Sequence, residues 1–260
     1  MTDTLKIFEE NDNKSLFFRV LIELRLFARH FLFVIDTKSS GFIRLNFALP
    51  IYTRSRRMMF DARRPMVIDN EDLEHLCEEL SDISSVLTQL VPGLSIGFKE
   101  ISQTLDKDGE AATVTMLTAY RDGKELPLRD ESDGVRKIIS VLSLIIAVFN
   151  EQSVTVAIDE FDAGIFEYLL GEILQSMEES GKGQFIFTSH NLRPLEVINK
   201  KFLYFTTTNP QNRYIRLKNI SATNNLRDTY FREIILCEQE EEIYNKTKKF
   251  KIIAALKKAG

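Results

Sequence analysis

Two short apolar runs decide how this chain folds: VTVAIDE at residues 154–160 and QFIFTSH at residues 184–190. Both are too short for buried helices and are rich in β-branched or aromatic residues, so each is predicted to be a buried strand. The segment between them has room for one helix, which predicts a right-handed βαβ crossover and a parallel sheet. A strongly apolar helix is predicted at 135–149, directly before the first run. The predicted fold class is therefore α/β.

The regions around this unit show other patterns. Upstream, apolar spacing predicts amphipathic helices at 16–28 and 73–90, a hairpin from 31–35 and 42–49, and an antiparallel segment with strands at 94–101 and 112–121. Downstream, short strands are predicted at 202–206 and 214–217, and a lysine-rich helix over 229–258. The upstream helices indicate a helical insertion beside the α/β unit.

Composition excludes several classes of protein. The 260 residues are 44% hydrophobic and carry 34 basic against 38 acidic side chains, a net charge of −4. This favours a globular protein over disorder or a dedicated nucleic-acid module. The sparse, isolated cysteines make a reducing, cytoplasmic setting the expectation. No apolar run approaches the roughly 20 residues of a membrane span, and no signal peptide is recognised. Cys77 and Cys237 lie far apart, so they predict neither a zinc knuckle nor a disulfide framework.

Polar side chains follow both predicted strands directly. Asp159 and Glu160 end the first run, and His190 ends the second. Ligands of α/β sheets bind beyond the carboxyl ends of the strands, so these residues are expected in a site. One carboxylate can hold Mg²⁺ while the other orients a water molecule. For the two acids alone, the solvated end of a strand is an equally good interpretation.

A third segment, ESDGVRK at 131–137, begins the apolar helix. Ser132 or Asp133 can cap the helix, and Gly134 permits close backbone approach. The exposed N–H groups and the helix dipole favour an anion such as phosphate. An ordinary helix start is the alternative interpretation.

Together these segments resemble the ABC-type ATPases of the SMC-like and OLD-like branch, often labelled "AAA family ATP-binding protein". The resemblance covers roughly residues 90–260. In chain order, 131–137 is similar to the ABC signature, 154–160 to a Walker B strand, 161–164 to the D-loop, and 188–190 to the H-loop. The resemblance implies a partial P-loop NTPase fold with a mostly parallel sheet. It divides the chain into a family-specific helical and β-hairpin region at 1–92 and an ABC-ATPase-like C-terminal lobe at 93–260.

The resemblance also implies roles for the residues at the strand ends. Asp159 would help to hold Mg²⁺ through water, and Glu160 would polarise the attacking water. His190 would contact the γ-phosphate of ATP. These roles suit phosphoryl transfer, in which positioning and charge stabilisation supply most of the catalysis.

The same resemblance implies a head-to-tail dimer with ATP between two heads. Ser132 and Gly134 would meet the γ-phosphate bound on the partner, and Asp133 and Lys137 belong to the same nucleotide-binding set. Asp162 would couple the two sites across the interface. The implied ligands are ATP and Mg²⁺.

One motif of the family is missing from the sequence. No GxxxxGK[ST] occurs in the 260 residues, and SGKGQ at 180–184 lacks both the first glycine and the hydroxyl. The chain therefore looks like the C-terminal part of a longer ATPase, a separately encoded half or a truncated one. A missing N-terminal lobe or another chain would then supply the Walker A motif. Without that lobe, the open sheet edges would have to be covered by another chain or by residues 1–50.

Other functions remain open at the level of sequence. The chain could be a non-catalytic interaction or regulatory protein, or a metal-dependent nuclease using Asp159, Glu160 and Asp162. A DNA-associated or antiviral-defence role is a further expectation from the resemblance. An arginine cluster could contact nucleic-acid phosphates, although the pattern favours a solvated loop paired with the acidic helix at 71–82. Its members are Arg54, Arg56, Arg57, Arg63 and Arg64.

Overall fold

The structure is a computed structural model that describes residues 16–35, 48–52, 57–61, 64–217, 226–236, 241–244 and 247–259. It divides into two compact units. The first unit comprises residues 1–170 and 179–190, and the second comprises residues 171–178 and 191–260.

The first unit contains both sheets of more than two strands. Its elements are α1 (Leu16–His30), β1 (Leu32–Ile35), β2 (Ala48–Tyr52), β3 (Arg57–Asp61), β4 (Met66–Asp69), α2 (Asn70–Leu90), β5 (Leu94–Leu105), β6 (Ala111–Arg121), β7 (Lys124–Pro127), α3 (Asp133–Asn150), β8 (Thr155–Ile158), α4 (Glu167–Ser180, shared with the second unit) and β9 (Gln184–Phe187). The strands and helices predicted around residues 135–190 are confirmed.

The parallel sheet has the strand order β1–β8–β9. The sequence predicts that Phe31–Ile35 forms a hairpin with Phe42–Leu49. In the described residues, Leu32–Ile35 pairs instead in parallel with Thr155–Ile158. Most of the second run, 42–47, lies outside the described residues. The mixed α/β fold class, with a parallel sheet and separate antiparallel strands, is confirmed.

The two faces of the parallel sheet differ in their exposure. Phe33 and Val156 lie side by side in the register and are buried, and Phe161, also fully buried, packs its ring on Phe185 at 5.2 Å. On the opposite face, Val34 and Ile186 flank Ala157 and are 66% and 49% exposed. One face is therefore covered, while the other keeps apolar side chains at the surface.

The antiparallel sheet has the order β4–β6–β5, and β7 also pairs with β6. Helix α2 packs against β5, with Ser84 accepting a 2.9 Å hydrogen bond from the Ile96 N–H. The Asp69 carboxylate caps the first turn of α2 by accepting the Asp72 N–H at 2.7 Å. This sheet is the antiparallel segment that the sequence predicts, and its β6 runs toward the start of α3.

The second unit is smaller. Its elements are α5 (Pro194–Val197), β10 (Phe205–Thr206), β11 (Tyr214–Ile215), α6 (Leu226–Leu236) and α7 (Lys249–Ala259), with β10 and β11 antiparallel. The continuous helix predicted over 229–258 is wrong. Residues 241–244 are non-helical because Glu242 accepts the Thr208 N–H at 2.9 Å and the Glu241 carboxylate binds Asn209.

Membrane insertion of a helix finds no support in the described part of the chain. None of its helices combines the length and apolarity needed to cross a bilayer.

Candidate functional site

Strands β8 and β9 end level with each other, which places their following residues side by side. Ile158 is the register partner of Phe187, so Asp159 and Glu160 lie beside Thr188. The Asp159 N–H donates to the Ile35 carbonyl at 2.8 Å, which extends the sheet by one residue. The two predicted strand ends are thus brought together at the carboxyl edge of the sheet.

Thr188 joins the two acidic residues through one hydroxyl. Its Oγ1 donates to the Asp159 carboxylate and accepts the Glu160 N–H at 2.8 Å. Because a hydroxyl has one hydrogen, this arrangement fixes its orientation. From the sequence, Thr188 belongs to the predicted H-loop and has no role of its own. Its position opposite Asp159 in two aligned strands is the signal that could have found it.

Glu160 has an unusual backbone conformation. Its φ is +50°, in the left-handed region that a residue with a Cβ enters at a cost of about 1 kcal/mol or more. Its carbonyl accepts the Lys137 ammonium and the Ala163 N–H, the latter at 3.1 Å. Such strained residues concentrate at functional sites, where surrounding contacts hold them in place.

His190 lies next to Glu160 but is largely open to solvent. Its Nε2 is 3.8 Å from Glu160 Oε1, and its side chain is 84% exposed. The His190 N–H donates to both carboxylate oxygens of Asp162, each at 3.2 Å. The segment predicted as a D-loop is therefore anchored to the backbone of the histidine that the sequence singles out.

The start of α3 packs directly on that same segment. Ser132 is the N-cap, with its Oγ accepting the Val135 N–H at 3.3 Å, while the Asp133 carboxylate pairs with Arg136. A Cβ built on Gly134 would lie 2.0 Å from the Gly164 carbonyl oxygen. A side chain at position 134 would therefore clash with the backbone of the segment predicted as a D-loop.

Lys137 is a buried cation at the centre of the cluster. It is 8% exposed, and its ammonium donates to the Glu160 carbonyl. Burial lowers the pKa of Lys137, while the nearby charges of Asp162, Glu160 and Asp159 act to raise it. The structure thus places one ammonium among three carboxylates.

The lowered pKa of Lys137 gives a pH prediction. In the unfolded chain the Lys137 ammonium keeps its proton up to the ordinary lysine pKa, whereas in the folded chain it loses the proton at a lower pH. The free-energy cost of burying the charged ammonium is therefore relieved as the pH rises between these two pKa values. The stability that depends on Lys137 is therefore largest at alkaline pH and is lost as pH falls. The free energy of unfolding in urea should increase from pH 7 to pH 10 in the wild-type chain relative to Lys137→Met. Parallel pH dependence of the two proteins would contradict the prediction.

A partly buried ion pair positions Glu131, the residue before Ser132. Arg121, at the end of β6, donates two hydrogen bonds to the Glu131 carboxylate, at 3.1 and 2.8 Å. The Glu131 side chain is only 7% exposed, whereas that of Arg121 is 35% exposed. This pair ties the antiparallel sheet to the helix start. Nothing in the local sequence pattern predicts it, because the two residues belong to different elements.

Two of the five members of the arginine cluster lie in the described part of the chain. Arg64 is exposed, and Arg57 begins β3. Arg54, Arg56 and Arg63 lie outside the described residues. Nucleic-acid binding through this cluster stays a prediction.

The carboxylates at this sheet edge fit a Mg²⁺ ion whose ligands are mainly water and nucleotide phosphate oxygens. Within the described ranges, no group of three or more His, Cys, Asp or Glu side chains is arranged to hold a metal ion. Mg²⁺ in nucleotide sites takes only one or two carboxylates and completes its shell with water and phosphate oxygens. Asp159, oriented by Thr188 at the edge of the sheet, meets that requirement.

Comparison with known proteins gives one family match. Residues 21–196 match the profile of the family described as "AAA domain, putative AbiEii toxin, Type IV TA system". This match spans more than half of the chain and includes the ends of β8 and β9 together with the start of α3. Comparison with curated proteins finds no match.

Several solved structures are similar in part. A Smc head bound to the C-winged helix domain of ScpA is 18% identical, with a TM-score of 0.34, over 44% of this chain and 34% of that one. A structure from work on ATP-driven dimerization and DNA-stimulated activation of SMC ATPases is 15% identical, with a TM-score of 0.40, over 65% and 96%. A Pyrococcus furiosus Smc head with an extended coiled coil, bound to the C-terminal domain of ScpA, is 18% identical, with a TM-score of 0.33, over 48% and 32%. The chain spans about a third of the length of the first and third of these structures.

Proposed function

The chain belongs to the AAA-domain family whose description names a putative AbiEii toxin of a type IV toxin–antitoxin system, and on this premise we propose that it is the ATP-binding and hydrolysing half of an ABC-type ATPase. The observation that carries the proposal is the convergence of Asp159, Glu160 and His190 at one sheet edge. Membership of an AAA family supports nucleotide as the ligand.

The contacts at this edge support distinct roles for its side chains. Thr188 orients the Asp159 carboxylate, which we assign to the hydrated Mg²⁺ of the nucleotide. Bound Mg²⁺ would neutralise phosphate charge as the transferred group departs. Glu160 would accept a proton from the attacking water, and its backbone is held by Thr188 and Lys137. His190 is exposed and 3.8 Å from Glu160, within reach of a γ-phosphate.

The helix start is proposed to act on nucleotide held by a partner chain. Ser132 and Gly134 stand at the N-terminus of α3, where the helix dipole favours an anion. Asp133 lies in the same first turn and Lys137 one turn further along the helix; both belong to the proposed binding set. Asp162, bonded to the His190 N–H, would link the two half-sites. The proposed assembly is a head-to-tail dimer.

Calorimetric titration of ATP with Mg²⁺ tests the proposal. The chain alone is expected to bind ATP weakly, because no GxxxxGK[ST] cradle occurs in its 260 residues. Addition of a lobe that carries a Walker A motif is expected to restore binding and hydrolysis. ATP binding by the completed assembly that does not change in Asp159→Ala would contradict the assigned site.

The alternative is a non-catalytic interaction protein that keeps the fold. The absence of a Walker A motif from the printed sequence favours it. The orientation of Asp159 and Glu160 by Thr188, and the exposed His190 beside them, favour catalysis. A completed assembly that binds ATP without turnover would identify the alternative as correct.

The wider role and the domain division remain part of the proposal. The family description names a toxin, which suits a DNA-associated or antiviral-defence function. We retain 1–92 as a family-specific region and 93–260 as the catalytic lobe. The parallel sheet and the four-stranded antiparallel sheet each contain strands from both ranges, since β1 pairs with β8 and β4 pairs with β6.

A further inference from the structure

The second unit carries more positive charge than the chain as a whole. Its residues, 171–178 and 191–260, include 14 basic and 9 acidic side chains, a net charge of +5, whereas the whole chain has a net charge of −4. Between Glu196 and Asp228 the sequence has no acidic residue and six basic ones: Lys200, Lys201, Arg213, Arg216, Lys218 and Arg227. Such a local excess of positive charge favours a polyanionic ligand.

The hairpin of β10 and β11 lies within this stretch, and its two faces differ. Phe205 pairs with Ile215 in the register and is buried, with its ring stacked on that of Tyr230 at 5.5 Å. Thr206 pairs with Tyr214, and because side chains alternate along a strand, these two lie on the opposite face. Tyr214 is 68% exposed there. The hairpin therefore packs one face and presents the other to solvent.

The exposed face continues one residue beyond each strand. Tyr204 is 59% exposed, and the Arg216 guanidinium lies 4.5 Å from its ring centroid and donates to its hydroxyl at 2.6 Å. In the 3₁₀ turn Lys200–Phe202, the Lys201 ammonium lies 4.6 Å from the ring centroid of Phe202, which is 58% exposed. Each of these two exposed rings is thus paired with a cation.

Exposed aromatic rings with cations beside them match the chemistry of a nucleic-acid strand. Bases stack on aromatic side chains, and lysine and arginine bind the phosphates. A membrane surface would instead require a continuous apolar face, whereas Thr206 neighbours both tyrosines here. The Glu241 carboxylate contacts the hairpin at its turn, through Asn209 and Asn212, at the end away from Tyr204.

The spacing of the two tyrosines favours a single strand over a duplex. Tyr204 and Tyr214 are diagonal neighbours on this face, an arrangement that places residues of an antiparallel pair about 7–8 Å apart. Successive bases along one strand of a duplex are only about 3.4 Å apart. Bases that occupy both rings must therefore be splayed apart, which a single strand permits and a duplex does not.

We propose that the exposed face of the β10–β11 hairpin binds single-stranded nucleic acid, with unstacked bases on the rings of Tyr204 and Tyr214. Arg216 and Lys201 beside the aromatic rings, and Arg213 next to Tyr214, bind the phosphates of the same strand. DNA and RNA share this chemistry. The inference does not rest on the proposed ATPase function, because the binding requires no ATP, so either proposal can fail while the other holds.

Fluorescence anisotropy with the purified chain, in the absence of ATP, tests the proposal. The probes are fluorescein-labelled oligo(dT), oligo(U) and a DNA duplex of the same length. The chain is expected to bind one or both single strands more tightly than the duplex, with an affinity that falls as the salt concentration rises. The comparison of oligo(dT) with oligo(U) identifies the preferred sugar. Absence of single-strand binding, or equal affinity for the duplex, would overturn the proposal.

Variants of Tyr214 separate base stacking from other contacts. Tyr214→Ala removes an exposed ring, so the unfolding midpoint should not change, while the single-strand affinity should fall about fivefold or more through the loss of one stacked base. Tyr214→Phe keeps the ring and should bind as the wild type does. Tyr168→Ala is the matched control, because Tyr168 is 60% exposed but lies on α4, outside the hairpin. Wild-type affinity in Tyr214→Ala would contradict the assigned surface.

Photo-crosslinking of the wild-type chain supplies a measurement that needs no variant. Single strands that contain 5-bromodeoxyuridine or 5-bromouridine are irradiated with the chain, and the modified residues are identified by mass spectrometry. Crosslinks are expected at Tyr204 or Tyr214. Crosslinks confined to the arginine-rich segment at 54–64, or to any other segment outside the hairpin, would refute the location. Binding to anionic lipid vesicles without binding to either single strand would identify a membrane ligand and overturn the proposal.

Discussion

Replacing Glu160 with Gln is expected to lower ATP turnover of the completed ATPase at least about a hundredfold, while ATP binding is retained. Glutamine matches glutamate in size but cannot accept the proton of the attacking water. The contacts that hold the residue use its backbone, namely the N–H to Thr188 and the carbonyl to Lys137. The variant should therefore keep the site geometry and accumulate an ATP-bound dimer.

Single-turnover hydrolysis and size-exclusion chromatography with ATP measure these effects. Glu74→Gln, an exposed position on α2, is the matched control and should hydrolyse ATP at the wild-type rate. Unchanged turnover in Glu160→Gln would remove Glu160 as the base. Equal loss of binding and turnover would instead indicate that the carboxylate serves mainly to hold the nucleotide and its Mg²⁺.

Gly134→Ala is expected to destabilise the chain by about 1–3 kcal/mol, the usual range for overpacking. At an ordinary helix position the same change stabilises by about 1 kcal/mol, so the sign is diagnostic. A Cβ at Gly134 would lie 2.0 Å from the Gly164 carbonyl oxygen, and both partners are backbone. The clash can be relieved only by moving the helix start away from the D-loop segment. ATP turnover in the completed assembly should fall with it.

Urea unfolding of Gly134→Ala against Gly97→Ala measures the difference. A Cβ at Gly97 would meet the Tyr120 ring at 3.3 Å, and a side chain can yield there by a few tenths of an ångström. Gly97→Ala should therefore have a much smaller effect. If the two variants have the same stability, or Gly134→Ala is stabilised, the close approach of α3 to Gly164 is not present in solution.

Local patterns in the sequence predict the carboxyl edge of the parallel sheet well. The apolar runs before Asp159 and His190 carry enough information to place both residues at strand ends, because a buried four-residue strand followed by polar residues has few other solutions. Ser132 likewise follows from the preference for a hydroxyl at a helix start. These features depend on neighbouring residues alone.

The features that the sequence does not predict depend on contacts between distant segments. Thr188 matters only because the register of β8 and β9 brings its hydroxyl to Asp159 and to the Glu160 N–H. Lys137 reads as one more basic residue of a helix start, yet its ammonium is buried against the Glu160 carbonyl. The Arg121–Glu131 ion pair and the parallel pairing of β1 with β8 likewise depend on contacts between separate elements. No local periodicity encodes them.

The pairing of β1 with β8 also has a consequence for how the chain reaches its native state. Leu32–Ile35 and Thr155–Ile158 are separated by more than a hundred residues, and the whole antiparallel sheet lies between them in the sequence. Closing so long a loop lowers the chain entropy before the favourable contacts between β1 and β8 form. The pairing of these two strands is therefore expected to be slow and to occur late in folding. During synthesis β1 leaves the ribosome long before its partner exists. The apolar side chains of β1, including Phe33, stay exposed until β8 has been synthesised. We therefore expect chaperone binding to matter most during this interval.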